Sequence, residues 1–261
     1  MLPKIFKPKY AYNLIRLGRD NDGGYLVEKE SILKSNSLIS LGIGHDWSFE
    51  SDYYKINKTP IFCYDHSINY SSLRKHSIKS VGSYFFRVFK PKYLFRKNFF
   101  FNMANEILLF RNYKKFFKNN VKHFNYKIGP GKNDINLEYI FNEINLNNPV
   151  FIKIDIEGSE YRILDELIKF QNNITGIVIE FHDFDLHIHN IIKFIENLNL
   201  ELVHIHPQNS APLNKENIPT QLEITFSKNP KKISNRIKIT HELDQPANPN
   251  FQDIELVFED N

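Results

Sequence analysis

Phe151-Ile152-Lys153-Ile154-Asp155-Ile156-Glu157-Gly158-Ser159-Glu160 is an apolar strand that runs into three carboxylates. Val150, Phe151, Ile152, Ile154 and Ile156 form a short, nearly continuous apolar run. Such a run suits a central parallel strand covered on both faces. Asp155, Glu157 and Glu160 then crowd around a single glycine, Gly158. In an open α/β sheet, ligands bind outside the carboxyl ends of the strands. Acids massed at such an end are placed for chemistry or ligand binding, because carboxylates buried without partners are costly. The plainer alternative is a strand end that caps the next helix, with Ser159 and Glu160 in its first turn.

Outward from this strand, apolar runs alternate with amphipathic segments. Asp134 to Asn145 reads as a helix with Ile135, Leu137, Ile140, Phe141 and Ile144 inward, and Tyr161 to Phe170 as the helix after the strand. Ile174 to Ile179 is the next strand, followed by Glu180-Phe181-His182-Asp183. A helix over Ile188 to Leu198 and strands over Leu200 to Ile205 and Gln221 to Phe226 complete the second half. Upstream, Leu38 to Gly44, Pro60 to Asp65 and Lys122 to Ile128 supply three more strands. This alternation predicts an α/β fold with a doubly wound, mostly parallel sheet. From Asn229 the chain is rich in Pro and Asn until Asp253 to Phe258, where an added edge strand is expected.

The first of these strands breaks into Gly42 and Gly44, which let a cofactor approach the backbone at the start of a helix. Where the dinucleotide fingerprint has its third glycine stands Trp47, too bulky for a pyrophosphate held tight to the helix start. Asp65 ends the second strand, 21 residues past Gly44, where an acid binds the ribose hydroxyls of an adenosine cofactor. A glycine turn and a ribose acid without a diphosphate loop suit S-adenosylmethionine better than NAD. Before them, Arg16-Leu17-Gly18-Arg19-Asp20-Asn21-Asp22-Gly23-Gly24-Tyr25-Leu26-Val27 signals a hairpin outside the main sheet, spanning about 12–30.

Composition bounds the rest. A chain of 261 residues suits one α/β domain with insertions. The single Cys63 excludes a disulfide framework and a cysteine-based zinc site. No apolar run approaches the ~18 residues of a membrane span, and the N-terminus lacks a signal-peptide core, so a cytoplasmic location is expected. The net charge of +4 is divided: Arg74 to Lys122 holds thirteen Lys or Arg and one acid, Glu106, leaving −8 for the remainder. This basic insert, about 71–122, interleaves cations with aromatics such as Tyr84, Phe85, Tyr93 and Phe99, as phosphate or nucleic-acid surfaces do. It equally suits a homodimer face, a membrane-surface patch or a lid. It is expected to fold over the crevice, with Lys90, Lys92, Arg96 and Lys97 meeting an acceptor's phosphates.

The blocks "RLGRDNDGGYLV", "SLGIGHDWSFE", "FIKIDIEGSEYRIL", "IEFHD" and the "LVHIHPQN" to "LEITF" ending together resemble the FkbM-type methyltransferase family. The resemblance runs from about Arg16 to Phe226. It implies a class I methyltransferase (Rossmann-like) fold with a seven-stranded sheet, S-adenosylmethionine as donor, and a sugar hydroxyl as acceptor. Carried over by position, Gly42, Gly44, Asp65 and Asp155 would hold the donor. Asp155, Glu157 and His182 would line the reacting end, with His182 the first choice of base because an unperturbed imidazole titrates near neutrality. Ser40 departs from the acid that many methyltransferases carry on this strand, and the basic insert is longer than the family leads one to expect. Asp155 and the Glu180/His182/Asp183 cluster could instead hold Mg²⁺, but no metal ligands are assigned. The acceptor expected is a nucleotide-linked or surface-polysaccharide sugar, with no stable nucleic-acid partner. An RNA methyltransferase or binding protein, and a non-catalytic interaction module, are the competing readings.

Overall fold

The computed structural model describes residues 1–88, 97–144 and 148–259, and for residues 80, 83–88, 97–103 and 106 the backbone alone. In chain order its strands are β1 (Ala11–Tyr12), β2 (Leu14–Gly18), β3 (Gly24–Glu28), β4 (Ser37–Leu41), β5 (Ile61–Tyr64), β6 (Val121–Phe124), β7 (Val150–Ile154), β8 (Ile174–Phe181), β9 (Glu201–Pro207), β10 (Leu222–Ser227) and β11 (Lys232–Ser234). The α-helices are α1 (Lys29–Leu33), α2 (Ser48–Ile56), α3 (Tyr70–Val88), α4 (Lys97–Phe116), α5 (Leu137–Glu143), α6 (Leu164–Phe170) and α7 (Phe184–Asn197).

Seven strands form one sheet in the order β6-β5-β4-β7-β8-β10-β9. β4 to β8 are parallel, while β10 runs antiparallel to both β8 and β9. This order, with its one reversed strand, is that of the class I methyltransferase fold. The chain leaves β4 in one direction toward β6, then returns to β7 and proceeds the other way. The switch point therefore falls between β4 and β7, where a crevice must open because successive connections diverge.

β7 shows why its residues choose this position. Val150, Ile152 and Ile154 face one hydrophobic core, shared with α5, α6 and α7 through Ile140, Leu167 and Phe194. Phe151 faces the other core, with Val27, Phe49 and Tyr53. The strand has apolar layers on both sides, as its nearly continuous apolar run predicts. The hairpin β2–β3 is a separate two-stranded sheet laid on the second face, and Thr225 on β10 donates to the Leu26 carbonyl at 2.6 Å.

Two expectations need correction. No strand forms over Asp253 to Phe258; Phe258 makes only an isolated bridge to Leu2. Leu256 instead buries against the core that holds Leu2, so its apolar pattern serves packing rather than a ladder. The short strand that does form nearby, β11, pairs with β1. β8 also runs two residues further than expected, which puts Glu180 inside the sheet opposite Glu223. In the insert, the far end of α4 packs on Trp47 through Tyr113. Lys90, Lys92 and Arg96, with the Lys97 side chain, lie outside the described residues. No helix among the described residues is long and apolar enough to cross a membrane.

Candidate active site

Where β4 ends, the backbone admits only glycine. Gly42 has φ +79°, and a Cβ there would lie 1.7 Å from the Asp155 carbonyl oxygen. Two residues on, Gly44 (φ +48°) has nothing within 4 Å of a Cβ position. The first glycine lets two strand ends meet; the second leaves the backbone open to a ligand.

Asp65, at the end of β5, holds this turn in place. Its Oδ2 accepts from the N–H groups of Ile43 and Gly44 at 2.9 and 2.8 Å. Its Oδ1 accepts from the N–H and the hydroxyl of Ser67, both at 2.6 Å. Burial opposes the charge, but these bonds outweigh it and hold the carboxyl below its ordinary value. Four bonds fill the acceptor sites of a carboxylate. A ribose hydroxyl would reach Asp65 by replacing the Ser67 hydroxyl, which is free to rotate. Ser40 turns away from this site: it is fully buried and donates to Glu50 Oε1 at 2.5 Å.

A cavity of about 370 Å³ opens beside the turn, within the range of small-molecule sites. Its walls are the Gly42–Asp46 turn, Asp65 to Ser67, Tyr126 to Ile128, and Arg19, Asp22 and Gly23 from the hairpin. Its floor is charged. Lys153 Nζ donates to the Gly42 carbonyl at 2.9 Å and lies 3.7 Å from Asp155 Oδ2. Burial disfavours that ammonium, yet Asp155, Glu50 and Glu180 prevail and raise its pKa. The Tyr25 hydroxyl lies 2.8 Å from Glu180 Oε2 and 3.2 Å from Asp155 Oδ2, within donating distance of both. Burial, then the nearby Asp155, push the Glu180 carboxyl up to about 7.

Beyond β7 the chain turns sharply, with positive φ at both Glu157 (+53°) and Gly158 (+91°). Such conformations in non-glycine residues gather at functional sites. Glu160 is no exposed helix cap: it is fully buried. Its Oε1 accepts from the N–H groups of Ile156 and Gly158 and from His182 Nδ1, each at 3.1 Å. This fixes His182 with Nε2 toward the acids, 3.4 Å from Glu157 Oε2 and 3.8 Å from Glu180 Oε1. Burial alone would lower the imidazole pKa. The bond and charge of Glu160, with the charges of Glu180 and Asp155, raise it to about 9. At neutral pH His182 therefore carries a positive charge.

The structure gathers Gly42, Gly44, Asp65, Asp155 and Glu157 around one cavity, with His182 standing behind Glu157 and Glu180. Sequence reasoning missed the parts of Tyr25 and Lys153. A lone lysine inside an apolar strand was the available signal, since buried lysines need partners. No described residue of α3 or α4 lines the cavity.

A family model described as the methyltransferase FkbM domain matches residues 11–202. The chain belongs to the FkbM methyltransferase family. It is accordingly a methyltransferase, and family and fold imply S-adenosylmethionine as its methyl donor. The matched span takes in every element that walls the cavity of this FkbM methyltransferase. No curated protein matches the chain. Among solved structures it is similar to an rRNA methylase from Streptococcus thermophilus, at 8% identity over 77% of this chain and 93% of that one, TM-score 0.38. It is also similar to the fibrillarin pre-rRNA processing protein of Methanococcus jannaschii, at 11% identity over 86% of each chain, TM-score 0.37. Likenesses so distant carry no argument about the acceptor. The residues of the FkbM site fit the donor on their own terms: open space above Gly44, an acid at the neighbouring strand end, and carboxylates suited to a sulfonium cation.

Proposed function

We propose that this FkbM methyltransferase transfers a methyl group from S-adenosylmethionine to a hydroxyl of a sugar, nucleotide-linked or bound for a surface polysaccharide, in the cytoplasm. The observation that carries the reading is the carboxylate floor: Asp155, Glu157 and Glu180 meet at one end of the cavity, the last two within 4 Å of His182 Nε2. Carboxylates accept hydrogen bonds from the hydroxyls that a sugar acceptor presents.

When bound, the donor supplies a methyl already activated on a sulfonium. Gly42, Gly44, Asp65 and Asp155 hold that donor, and alignment of the two reactants is worth up to ~7–11 kcal/mol in well-oriented systems. As the new C–O bond forms and the C–S bond breaks, the electron pair stays on sulfur and the hydroxyl proton must leave. A base in position adds about 10²–10⁴-fold. With His182 protonated at rest, Asp155 and Glu157 are the groups able to take that proton, Asp155 held beside Tyr25 and Lys153 and Glu157 beside His182.

Incubation of the purified protein with methyl-labelled donor and a panel of nucleotide-linked sugars tests the reading, with label expected on a sugar oxygen. The basic insert favours a second reading, an RNA acceptor. Label on RNA but on no sugar, with binding that falls steeply with salt, would overturn the carbohydrate assignment.

A further inference from the structure

We propose that Asp155, Glu157 and His182 form a site for a divalent first-row cation that presents the acceptor's hydroxyl to the methyl group. The inference rests on the reading of this crevice as the acceptor end of a methyltransferase. One ligand atom from each residue comes within 4.8 Å of the other two. Two ligands of one ion at ~2.2 Å each stand at most about 4.4 Å apart. The remaining closure falls to small shifts of Asp155 and of Glu157, the latter with its side chain 86% exposed.

The geometry of His182 points the same way independently of the acids. Its side chain is about nine-tenths buried. Nδ1 is engaged by the fully buried Glu160, the second carboxylate behind a ring that orients most metal-binding histidines. Nε2 makes no hydrogen bond among the described residues and aims at the gap between Glu157 and Glu180. A bound ion would take the place of the proton on Nε2 and leave Nδ1–H on Glu160. One imidazole and two carboxylates suit Mn²⁺ better than the all-oxygen surroundings Mg²⁺ prefers. Three protein ligands leave positions open, and neighbouring hydroxyls of a sugar can fill two of them. Two carboxylates beside a sulfonium would also exist without any ion, so donor and cation must be separated experimentally.

Mn²⁺ is therefore titrated into the full chain with neither donor nor acceptor present, and free Mn²⁺ is followed by paramagnetic resonance. One Mn²⁺ per chain is expected. Glu157→Gln, an exposed change that leaves packing untouched, should weaken it about tenfold or more. His182→Gln, its fold checked by circular dichroism, should do the same. Absence of binding, or equal binding by wild type and E157Q, overturns the cation site. S-adenosylhomocysteine is titrated separately with EDTA present. If that product binds while Mn²⁺ does not, the cation site fails and the methyltransferase crevice stands. If Mn²⁺ binds while the product does not, the cation site stands and the reading of the crevice fails.

Discussion

At the scale of single residues, two glycines two positions apart have opposite duties. A Cβ on Gly42 would collide with backbone, the Asp155 carbonyl, which no rotamer change relieves. Gly42→Ala should therefore lose at least ~3 kcal/mol of stability, from left-handed strain and overpacking together. Gly44→Ala meets nothing and should lose only the ~1–2 kcal/mol of a left-handed alanine, while its methyl group intrudes on the donor. Thermal melts and product calorimetry on both variants separate the duties, and equal stability would refute the close approach of the two strand ends. Asp65→Ala strands the N–H groups of Ile43 and Gly44. It should weaken binding of S-adenosylhomocysteine by ~1–3 kcal/mol, about 5–150-fold. Unchanged affinity would remove Asp65 from the donor site. Both glycines and Asp65 were legible because turn chemistry is local. The fourfold engagement of Asp65 was not, since Ser67 shows no pattern of its own.

Among the elements, Trp47 joins the glycine turn to the basic insert. Its ring packs edge-on against Tyr113 at 5.8 Å and Phe117 at 5.4 Å, and Tyr113 in turn lies 2.7 Å from His123 on β6. Trp47→Ala should cost ~3–5 kcal/mol, as large aromatic truncations in cores do. Amide exchange should quicken along α4 while β7 stays protected. Uniform quickening over both would mean that the insert is no separate unit. From sequence alone Trp47 was only the missing third glycine; its partner lies 66 residues away, beyond any local pattern. The central strand was legible for the converse reason, that a run of apolar residues broken only by Lys153 states its own burial. Between these extremes stands Glu180. Its residue type was visible, but its buried place depends on β10 inserting antiparallel between β8 and β9. Strand order is set by global packing, so a neighbour such as Glu223 cannot be read from spacing.

For the whole molecule, the segment after β11 returns across the fold and ties its ends together. Asn21 near the cavity bonds Gln245 and Pro246, Asn209 gathers the carbonyls of Asn248, Phe251 and Gln252, and Asp253 meets His206 at 3.0 Å. At its centre His204 Nε2 lies 2.9 Å from Asp244 Oδ1, both side chains almost fully buried. The groups facing this pair are His206 on β9, His241 on the returning segment and Glu223 on β10. Burial, with the charges of His206 and His241, lowers the His204 pKa below 6.5 despite Asp244. For Asp244 burial acts upward, yet His204 and its neighbours win and hold it below 3.8. Both groups thus have folded-state values beneath their unfolded ones. Each contributes stability that is present above the unfolded value and lost as the pH falls. The loss begins with His204 as pH drops through 6.5 and resumes with Asp244 below 3.8. Acidification from pH 7.5 to about 5.5 should therefore loosen residues 241–253 ahead of the sheet, read as faster amide exchange there. His204→Gln keeps a donor toward Asp244 but cannot titrate, so its exchange should change far less over that interval. An identical pH response in wild type and H204Q would place the acid sensitivity elsewhere. Since Gln245 and Pro246 hold the Asn21 turn, the same loosening should reach the Arg19 and Asp22 wall of the cavity and lower donor affinity in step.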